Sequence, residues 1–317
     1  MTPDPEVPMR SLADELGRRL PGRVERDAPS AGLVTFRCGG PFAVLVRASG
    51  SPICWGWRSL WRVRRRSRCW SWVGARIYWW PTTGSPASPC SSTLVSRASR
   101  RTRPAAPSAG GAAALPVLAR RAASAGLAGL EFYVGIPGSV GGAVRMNAGG
   151  HGSETRDVLT EVRVVDLSSG ASARRAAADL DLGYRSSALR DGEVVVEASF
   201  ATTRDDPDEC TRRIDEVVRW RREHQPGGAN AGSVFRNPPG DSAGRLIDAC
   251  GLRGRTVGGV RVSEKHANFF VASPGATAAD VRDLVAEVRA AVEAGAGVRL
   301  ECELRMVGFG ESAEVQQ

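Results

Sequence analysis

The chain has 317 residues, 42% of them hydrophobic and 24% charged, which is ordinary for a soluble globular protein large enough for two domains. It contains no apolar run of the roughly 18 residues needed to cross a membrane, and residues 1–26 are too polar and acidic for a secretory signal, so we expect a cytoplasmic protein without a membrane partner. The formal net charge of +9 would suit a nucleic-acid binder, but the excess lies in one segment, and we expect no nucleic-acid partner.

The first predicted elements are one helix and two strands. Residues 11–20 have leucines at helical spacing after Ser11, a residue type that often precedes a helix. Residues 33–36 and 43–46 read as strands on either side of the turn formed by Gly39, Gly40 and Pro41.

The segment from about residue 50 to 106 differs from the rest of the chain. Seven of the eight tryptophans lie between Trp55 and Trp80, and residues 51–103 contain eleven arginines and no acidic residue. The rest of the chain holds 32 basic and 34 acidic side chains and is close to neutral. No helical or strand period runs through the segment, which we expect to be poorly ordered. One interpretation is a nucleic-acid-binding segment with stacking aromatics, which would be retained on DNA in a salt-sensitive manner.

Periodic patterns return after residue 106. They predict helices at 112–125, 207–222, 244–251 and 280–294. They predict strands at 162–166, 194–200, 261–263, 268–271 and 300–307. Helices and strands mix without regular alternation, so we expect an α+β fold.

The cysteines and histidines predict no metal site. The seven cysteines form no CxxC pair, and no histidine lies at metal-ligand spacing from them. With three histidines in the chain, a histidine-rich metal site is not expected either.

A glycine-rich run is the most informative stretch. Residues 135–152 read Gly-Ile-Pro-Gly-Ser-Val-Gly-Gly-Ala-Val-Arg-Met-Asn-Ala-Gly-Gly-His-Gly, with seven glycines in eighteen positions. Such a backbone can approach a ligand closely and offer free N–H groups, as a dinucleotide pyrophosphate requires. The run lacks the strand-to-helix setting of the Rossmann fingerprint, and on glycine content alone a structural loop is an equal alternative.

Three further motifs carry polar side chains. Residues 183–187 (Gly-Tyr-Arg-Ser-Ser) present an arginine that could grip a carboxylate through two parallel hydrogen bonds, or simply end a surface strand. Residues 232–238 (Gly-Ser-Val-Phe-Arg-Asn-Pro) present Ser233 in a small loop, where a serine is usually only a loop residue. Residues 300–305 (Leu-Glu-Cys-Glu-Leu-Arg) place Glu301 and Glu303 on one side of the predicted strand, or on a solvated edge.

In this order and spacing the four motifs, with residues 262–268 (Val-Ser-Glu-Lys-His-Ala-Asn), resemble UDP-N-acetylenolpyruvoylglucosamine reductases of the shorter type. The resemblance covers residues 32–47 and 109–308. It implies an FAD-binding domain of the PCMH/vanillyl-alcohol-oxidase type at 1–203, a smaller α+β substrate domain at 204–310 and a tail at 311–317. The implied enzyme, also called UDP-N-acetylmuramate dehydrogenase, uses FAD and NADPH to reduce UDP-N-acetylglucosamine enolpyruvate in peptidoglycan synthesis.

The resemblance also implies site residues. It assigns Arg185 to the substrate carboxylate and the enolate, Ser233 to proton donation, and Glu303, the second acid of its pair, to the acid–base partner of Ser233. Substrate contacts fall on Tyr184, Arg236 and Asn237, although the family more often has lysine at position 236. The residues implied to line the flavin are Gly39, Gly40, Gly138, Ser139, Gly141, Gly142 and Asn147.

The resemblance fails at residues 50–106, where the family has the flavin loop Gly-Gly-Gly-Ser-Asn-Leu-Leu. Back-translated codons for residues 69–85, read one base earlier, permit the string LLVVGGGSNLLVADDGF, which contains that loop. We therefore expect two compensating frame changes, near residues 48–60 and 95–107, through a sequencing error or a damaged gene. An inactive remnant, or another FAD oxidoreductase such as a sugar or lactone oxidase, remains an alternative.

Overall fold

The computed structural model describes residues 13–14, 16–18, 21–46, 107–167, 169–304 and 306. They divide into two compact units: the second comprises Glu25–Leu45 and the residues from Arg221 onward, and the first holds the others. No helix among the described residues is long and apolar enough to cross a membrane. The expectations for residues 50–106 and for the tail at 311–317 lie outside the described residues.

The strands begin with a short pair and continue through both units. The first two, β1 (Val24–Ala28) and β2 (Phe42–Val46), pair with each other, and β2 confirms the strand predicted at 43–46. The others are β3 (Ser108–Gly110), β4 (Leu127–Ala128), β5 (Gly149–Gly150), β6 (Ser153–Glu154), β7 (Leu159–Asp166), β8 (Ser172–Ala176), β9 (Glu193–Phe200), β10 (Thr203–Arg204), β11 (Thr256–Val257), β12 (Val260–Val262) and β13 (Phe270–Ala272).

Six α-helices are described in residues 107–304. They are α1 (Leu115–Ser124), α2 (Val140–Met146), α3 (Thr155–Val158), α4 (Pro207–His224), α5 (Ala243–Ala249) and α6 (Ala278–Ala296). Two 3₁₀ helices, Glu131–Gly135 and Ala177–Leu180, complete the described helical elements of this range. The predicted helices at 112–125, 207–222, 244–251 and 280–294 correspond to α1, α4, α5 and α6. In the predicted helix at 11–20, residues 13–14 and 16–18 are helical.

The first unit is built on an antiparallel sheet of four strands in the order β3-β9-β7-β8. Its long central pair aligns Val164 with Val195 and confirms the strands predicted at 162–166 and 194–200. Alternate residues of β7, including Val162 and Val164, are buried because successive side chains of a strand point to opposite faces. Together with α1 and α2 they form one hydrophobic core. Helix α2 is part of the glycine-rich segment, so this core fixes the middle of that segment.

The second unit packs α5 and α6 against the small antiparallel sheet β11-β12-β13. The buried face of α6 is the one that the helical period predicts, and it consists of Val281, Leu284, Val285, Val288 and Val292. The helix begins with a reciprocal cap, in which Thr277 Oγ1 accepts a hydrogen bond from the Asp280 N–H at 3.1 Å while the Asp280 carboxylate accepts one from the Thr277 N–H at 2.9 Å. The strands predicted at 261–263 and 268–271 appear as β12 and β13, each shifted by one or two residues.

Two predicted strands are wrong. Residues 33–36 form turns, since the Leu33 N–H donates to the Ser30 carbonyl and the Arg37 N–H donates to the Val34 carbonyl. Residues 300–304 contain only an isolated bridge between Cys302 and Phe235. That pairing ends after two residues because the opposing segment reaches Pro238, and proline has no N–H to extend a ladder.

Candidate active site

The glycine-rich segment 135–152 contains a helix, α2, which is not among the helices predicted from the sequence. Ser139 precedes the helix, and its hydroxyl accepts a hydrogen bond from the Gly142 N–H at 3.3 Å. The Gly141 N–H donates to the Gly111 carbonyl at 2.8 Å, and a Cβ at position 141 would lie 3.2 Å from that oxygen. Gly141 is therefore needed for a close backbone approach, and neither glycine amide is the free N–H group that the sequence suggests.

Gly138 and Ser139 have a geometry that fits a flavin nucleotide. Among the residues that the structure describes, the backbone N–H groups of Gly138 and Ser139 have no protein acceptor. A Cβ at position 138 would meet no atom within 4 Å. Successive free amides on an unobstructed backbone suit phosphate oxygens, so these residues fit the pyrophosphate of FAD. The flavin contacts of Gly138, Ser139, Gly141 and Gly142 remain predictions.

Gly39 and Gly40 lie in the second unit, on the connection between β1 and β2. Gly39 adopts φ +137°, and a Cβ there would lie 2.5 Å from the Ser30 hydroxyl oxygen. A side chain at this position would therefore force Ser30 to move. The predicted contact of the two glycines with the flavin remains a prediction.

Asn147 ends α2 and is fully buried in a left-handed conformation, with φ 41°. Its amide nitrogen donates to Glu154 Oε2 at 2.9 Å and to the Gly183 carbonyl at 3.0 Å. Its amide oxygen accepts a hydrogen bond from the Arg156 N–H at 2.9 Å. Both amide hydrogens are therefore taken by protein groups, and the side chain connects the glycine-rich segment to the turn that carries Arg185.

Tyr184 and Arg185 occupy the centre of a tight turn in the first unit. Gly183 and Ser186 exchange backbone hydrogen bonds of 3.3 Å in both directions, and Arg185 adopts φ 54°. Tyr184 is half exposed, and the Arg185 guanidinium carbon lies 5.3 Å from the centre of the Tyr184 ring. This cation–π contact orients the guanidinium, and the turn presents both predicted substrate-binding side chains together.

The loop that carries Ser233 is held in the second unit by a buried asparagine. Ser233 pairs with Phe269 in an isolated bridge, and the Val234 N–H donates to the Asn268 carbonyl at 2.9 Å. The Asn268 side chain accepts from the Phe235 N–H at 2.9 Å and donates to the Phe235 carbonyl at 2.8 Å. Because Asn268 is 2% exposed and uses both ends of its amide, it fixes the backbone on which Ser233 lies.

Glu303 lies beside the same loop, since its N–H donates to the Val234 carbonyl at 2.7 Å. Glu303 is a half-buried residue, whereas Glu301 is exposed and pairs with the Arg236 guanidinium at 3.4 Å. The Asn237 side-chain oxygen accepts a hydrogen bond from the Ala243 N–H at 3.1 Å. The structure thus brings Ser233, Glu303 and Arg236 to one loop cluster of the second unit, while the role of each remains a prediction.

A cleft of about 470 Å³ opens in the first unit beside the end of the glycine-rich segment. Its lining includes His151 and the half-exposed Trp220, whose rings meet edge to face at 5.0 Å. The lining also includes Phe132, which packs against the buried Tyr133. Burial raises the pKa of Tyr133 above its usual range, so its hydroxyl stays protonated and donates to Thr155 at 3.1 Å. That hydrogen bond joins two residues that flank the glycine-rich segment.

The comparisons with known proteins agree with this arrangement. A sequence model of the C-terminal domain of UDP-N-acetylenolpyruvoylglucosamine reductase matches residues 224–307, and one of an FAD binding domain matches residues 108–174. A crystal structure of UDP-N-acetylenolpyruvylglucosamine reductase from Thermus caldophilus is 32% identical, with a TM-score of 0.68, and the match covers 90% of this chain and 99% of that one. The chain belongs to the UDP-N-acetylenolpyruvoylglucosamine reductase family.

Curated relatives with that name are more similar over a shorter stretch. The reductase of Erythrobacter litoralis is 49% identical over 182 residues, which are 57% of this chain and 56% of the relative. That of Nitrobacter hamburgensis is 45% identical over 57% of this chain and 59% of the relative. The chain thus spans somewhat over half the length of the curated relatives it matches. The family membership confirms the predicted α+β fold with an FAD-binding domain.

Sequence reasoning missed the residues that hold the predicted site in place. Asn268 lies in the quoted motif 262–268, but no role was predicted for it. Arg145 lies in the middle of the glycine-rich run, and its contacts with residues 189–191 are 44 to 46 positions away in the chain. A buried asparagine gives no local signal, and an arginine among glycines is indistinguishable from a solvated one before the fold is known.

Proposed function

We propose that the chain is an FAD-dependent enzyme that uses NADPH to reduce the enolpyruvyl ether of UDP-N-acetylglucosamine to UDP-N-acetylmuramate, in the cytoplasmic part of peptidoglycan synthesis. The observation that carries the proposal is the family membership together with the ordered loops that present Arg185, Ser233 and Glu303. We assign the FAD-binding domain, which also carries Tyr184 and Arg185, to residues 1–203, and the substrate-binding C-terminal domain to residues 204–310.

The substrate carboxylate sets the first requirement. FAD, when bound, supplies the hydride that it has received from NADPH. Addition of hydride to the vinyl group leaves negative charge on the carbon next to the carboxylate, so a cation is required there. We assign this role to Arg185, because its guanidinium can form two parallel hydrogen bonds with a carboxylate and is already oriented by Tyr184.

The carbanion must then be protonated. We assign donation of this proton to the Ser233 hydroxyl, which lies on a loop fixed by Asn268. A serine hydroxyl is a weak acid and needs a partner that shares the proton. We assign that role to Glu303, which follows the buried Cys302 on the segment that hydrogen-bonds with the Ser233 loop. Arg236 and Asn237 are assigned to the substrate, together with Tyr184.

We also propose that residues 50–106 are encoded in a shifted reading frame. The match to the FAD binding domain begins at residue 108, directly after this segment. The alternative frame over residues 69–85 permits the Gly-Gly-Gly-Ser-Asn sequence that the glycine-rich segment would complement at the pyrophosphate. Sequencing the DNA for residues 45–110 tests the proposal: two compensating single-base differences support it, and an unchanged sequence contradicts it.

The function is tested with the full-length protein expressed from the resequenced gene. Oxidation of NADPH is followed with UDP-N-acetylglucosamine enolpyruvate and, in parallel, with free sugars and lactones. Oxidation only with the UDP-sugar, with a product two hydrogens heavier than the substrate, supports the proposal. Turnover of a sugar or lactone in its place would assign the chain to another class of flavoenzyme.

A further inference from the structure

The turn that carries Arg185 is fastened on both sides to α2. On its N-terminal side, the Gly183 carbonyl accepts a hydrogen bond from the Asn147 amide at 3.0 Å. On its C-terminal side, the Ser187 hydroxyl donates to the Arg145 carbonyl at 2.8 Å. Asn147 and Arg145 are both at the C-terminal end of α2, so one short helix holds both ends of the turn.

Arg145 adds a second set of contacts beyond the turn. Its guanidinium donates to the carbonyl of Leu189 and, at 3.0 Å, to the carbonyl of Arg190, and it pairs with the Asp191 carboxylate at 2.8 Å. Its side chain is 25% exposed, whereas that of Asp191 is 82% exposed. The exposed ion pair contributes little, so the bonds to the two carbonyls are the ones that fix the backbone.

The turn needs such support because its conformation is unfavourable. Arg185 has φ 54°, a left-handed conformation that costs a non-glycine residue of order 1 kcal/mol or more. Without contacts on either side, the segment would relax and carry the guanidinium away from its present position. A displacement of about 1 Å is enough to slow a reaction about a hundredfold.

We propose that Arg145 is a positioning residue that acts through Arg185: it holds the substrate-carboxylate turn on the same helix whose opposite end is assigned to the flavin. The helix has seven residues and a length of about 10 Å, which makes it a short rigid connection between the two predicted binding groups. The inference rests on the proposed function, because it concerns the placement of the substrate carboxylate.

The test is a double-mutant cycle in the full-length protein. Arg145→Met keeps a flexible, unbranched side chain and removes its donors, and Arg185→Met removes the guanidinium that Arg145 is proposed to position. Arg174→Met is the matched control, because Arg174 is an exposed arginine of the same unit that pairs with Glu161. For each variant, flavin reduction by NADPH and flavin reoxidation by the enolpyruvyl substrate are measured separately in single turnovers.

We expect Arg145→Met to leave flavin reduction unchanged and to slow reoxidation about 10- to 100-fold. In the Arg185→Met background the same change should alter reoxidation less than about twofold, since its target is gone. An equal slowing in both backgrounds would show a general structural effect and overturn the inference, as would full activity of Arg145→Met. A fully active Arg185→Met would instead contradict the assignment of Arg185 in the proposed function.

Two further variants keep the test decisive if Arg145→Met folds poorly. Arg145→Lys retains the charge but has fewer hydrogen-bond donors, and we expect its reoxidation rate to lie between those of Arg145→Met and the wild type. Ser187→Ala removes only the hydrogen bond that the Ser187 hydroxyl donates to the Arg145 carbonyl, and it should also slow reoxidation. Reoxidation at the wild-type rate in both variants would overturn the inference.

Discussion

Replacing Ser233 with alanine separates the two halves of the proposed reaction. The described contacts of the loop run through backbone groups and the Asn268 amide, none of which involves the Ser233 hydroxyl. The loop should therefore stay in place, with a stability change within about 1 kcal/mol. Loss of a positioned proton donor slows a reaction by about 10²- to 10⁴-fold, which is about 2.7–5.4 kcal/mol of transition-state stabilisation at about 1.36 kcal/mol per factor of ten.

The assay is anaerobic stopped-flow absorbance of the flavin. We expect wild-type and Ser233→Ala proteins to be reduced by NADPH at the same rate, and the variant to be reoxidised by the enolpyruvyl substrate at least about 100-fold more slowly. Ser273→Ala, at an exposed serine of the same unit, should behave as wild type in both steps. If both half-reactions of Ser233→Ala fell by the same factor, Ser233 would not be the proton donor.

Three further changes test other parts of the account. Arg185→Lys should slow reoxidation at least about tenfold, because lysine cannot form two parallel hydrogen bonds with a carboxylate; an unaffected rate would remove Arg185 from the site. Gly111→Ala would place a Cβ 1.9 Å from the Val195 carbonyl oxygen, so denaturant unfolding should show a free energy of unfolding lower by at least about 1–3 kcal/mol. In Gly227→Ala the new Cβ would meet no atom within 4 Å, so the free energy of unfolding should change little. Burial and the nearby Arg253 lower the pKa of His266, so the unfolded chain takes up this proton first and the free energy of unfolding should fall as the pH drops below about 6.5. His266→Gln should make the free energy of unfolding less dependent on pH in this range. An identical pH dependence in the two proteins would show that His266 is not its cause.

The long elements of the fold are predictable because their signal is local. Helix α6 has a five-residue apolar face at helical spacing, and the same residues belong to the core of the second unit. Strands β7 and β9 are rich in valine, a residue type that favours strands, and both contribute apolar residues to the core of the first unit. In these elements the side-chain types, and in the helix also the period, agree with the final burial, so the sequence is sufficient.

The shorter elements depend on contacts that the sequence does not display. Residues 33–36 are as apolar as a strand, but they lie in turns closed by the Leu33 N–H and the Arg37 N–H rather than beside a neighbouring strand. The run Val140–Met146 contains two glycines, which disfavour a helix, and yet it is helical because Gly141 must lie against Gly111 and β9. Tertiary packing overrides local preference in both places.

The candidate site follows the same division. The motifs found the residues that are presented, such as Tyr184 in its tight turn and Ser233 in its loop. They did not find the residues that hold these loops, Asn268 and Arg145, because each acts on backbone atoms far away in the chain. The side-chain amide of Asn147 makes hydrogen bonds to Glu154, Gly183 and Arg156, and the flavin contact predicted for this residue remains a prediction.

The most direct test of the central claim is a single-turnover measurement on the full-length protein expressed from the resequenced gene. The protein is reduced with one equivalent of NADPH in the absence of oxygen and is then mixed with UDP-N-acetylglucosamine enolpyruvate. The account predicts complete reoxidation of the flavin and formation of UDP-N-acetylmuramate in equal amount. Flavin that is reduced by NADPH and stays reduced when the substrate is added would contradict it.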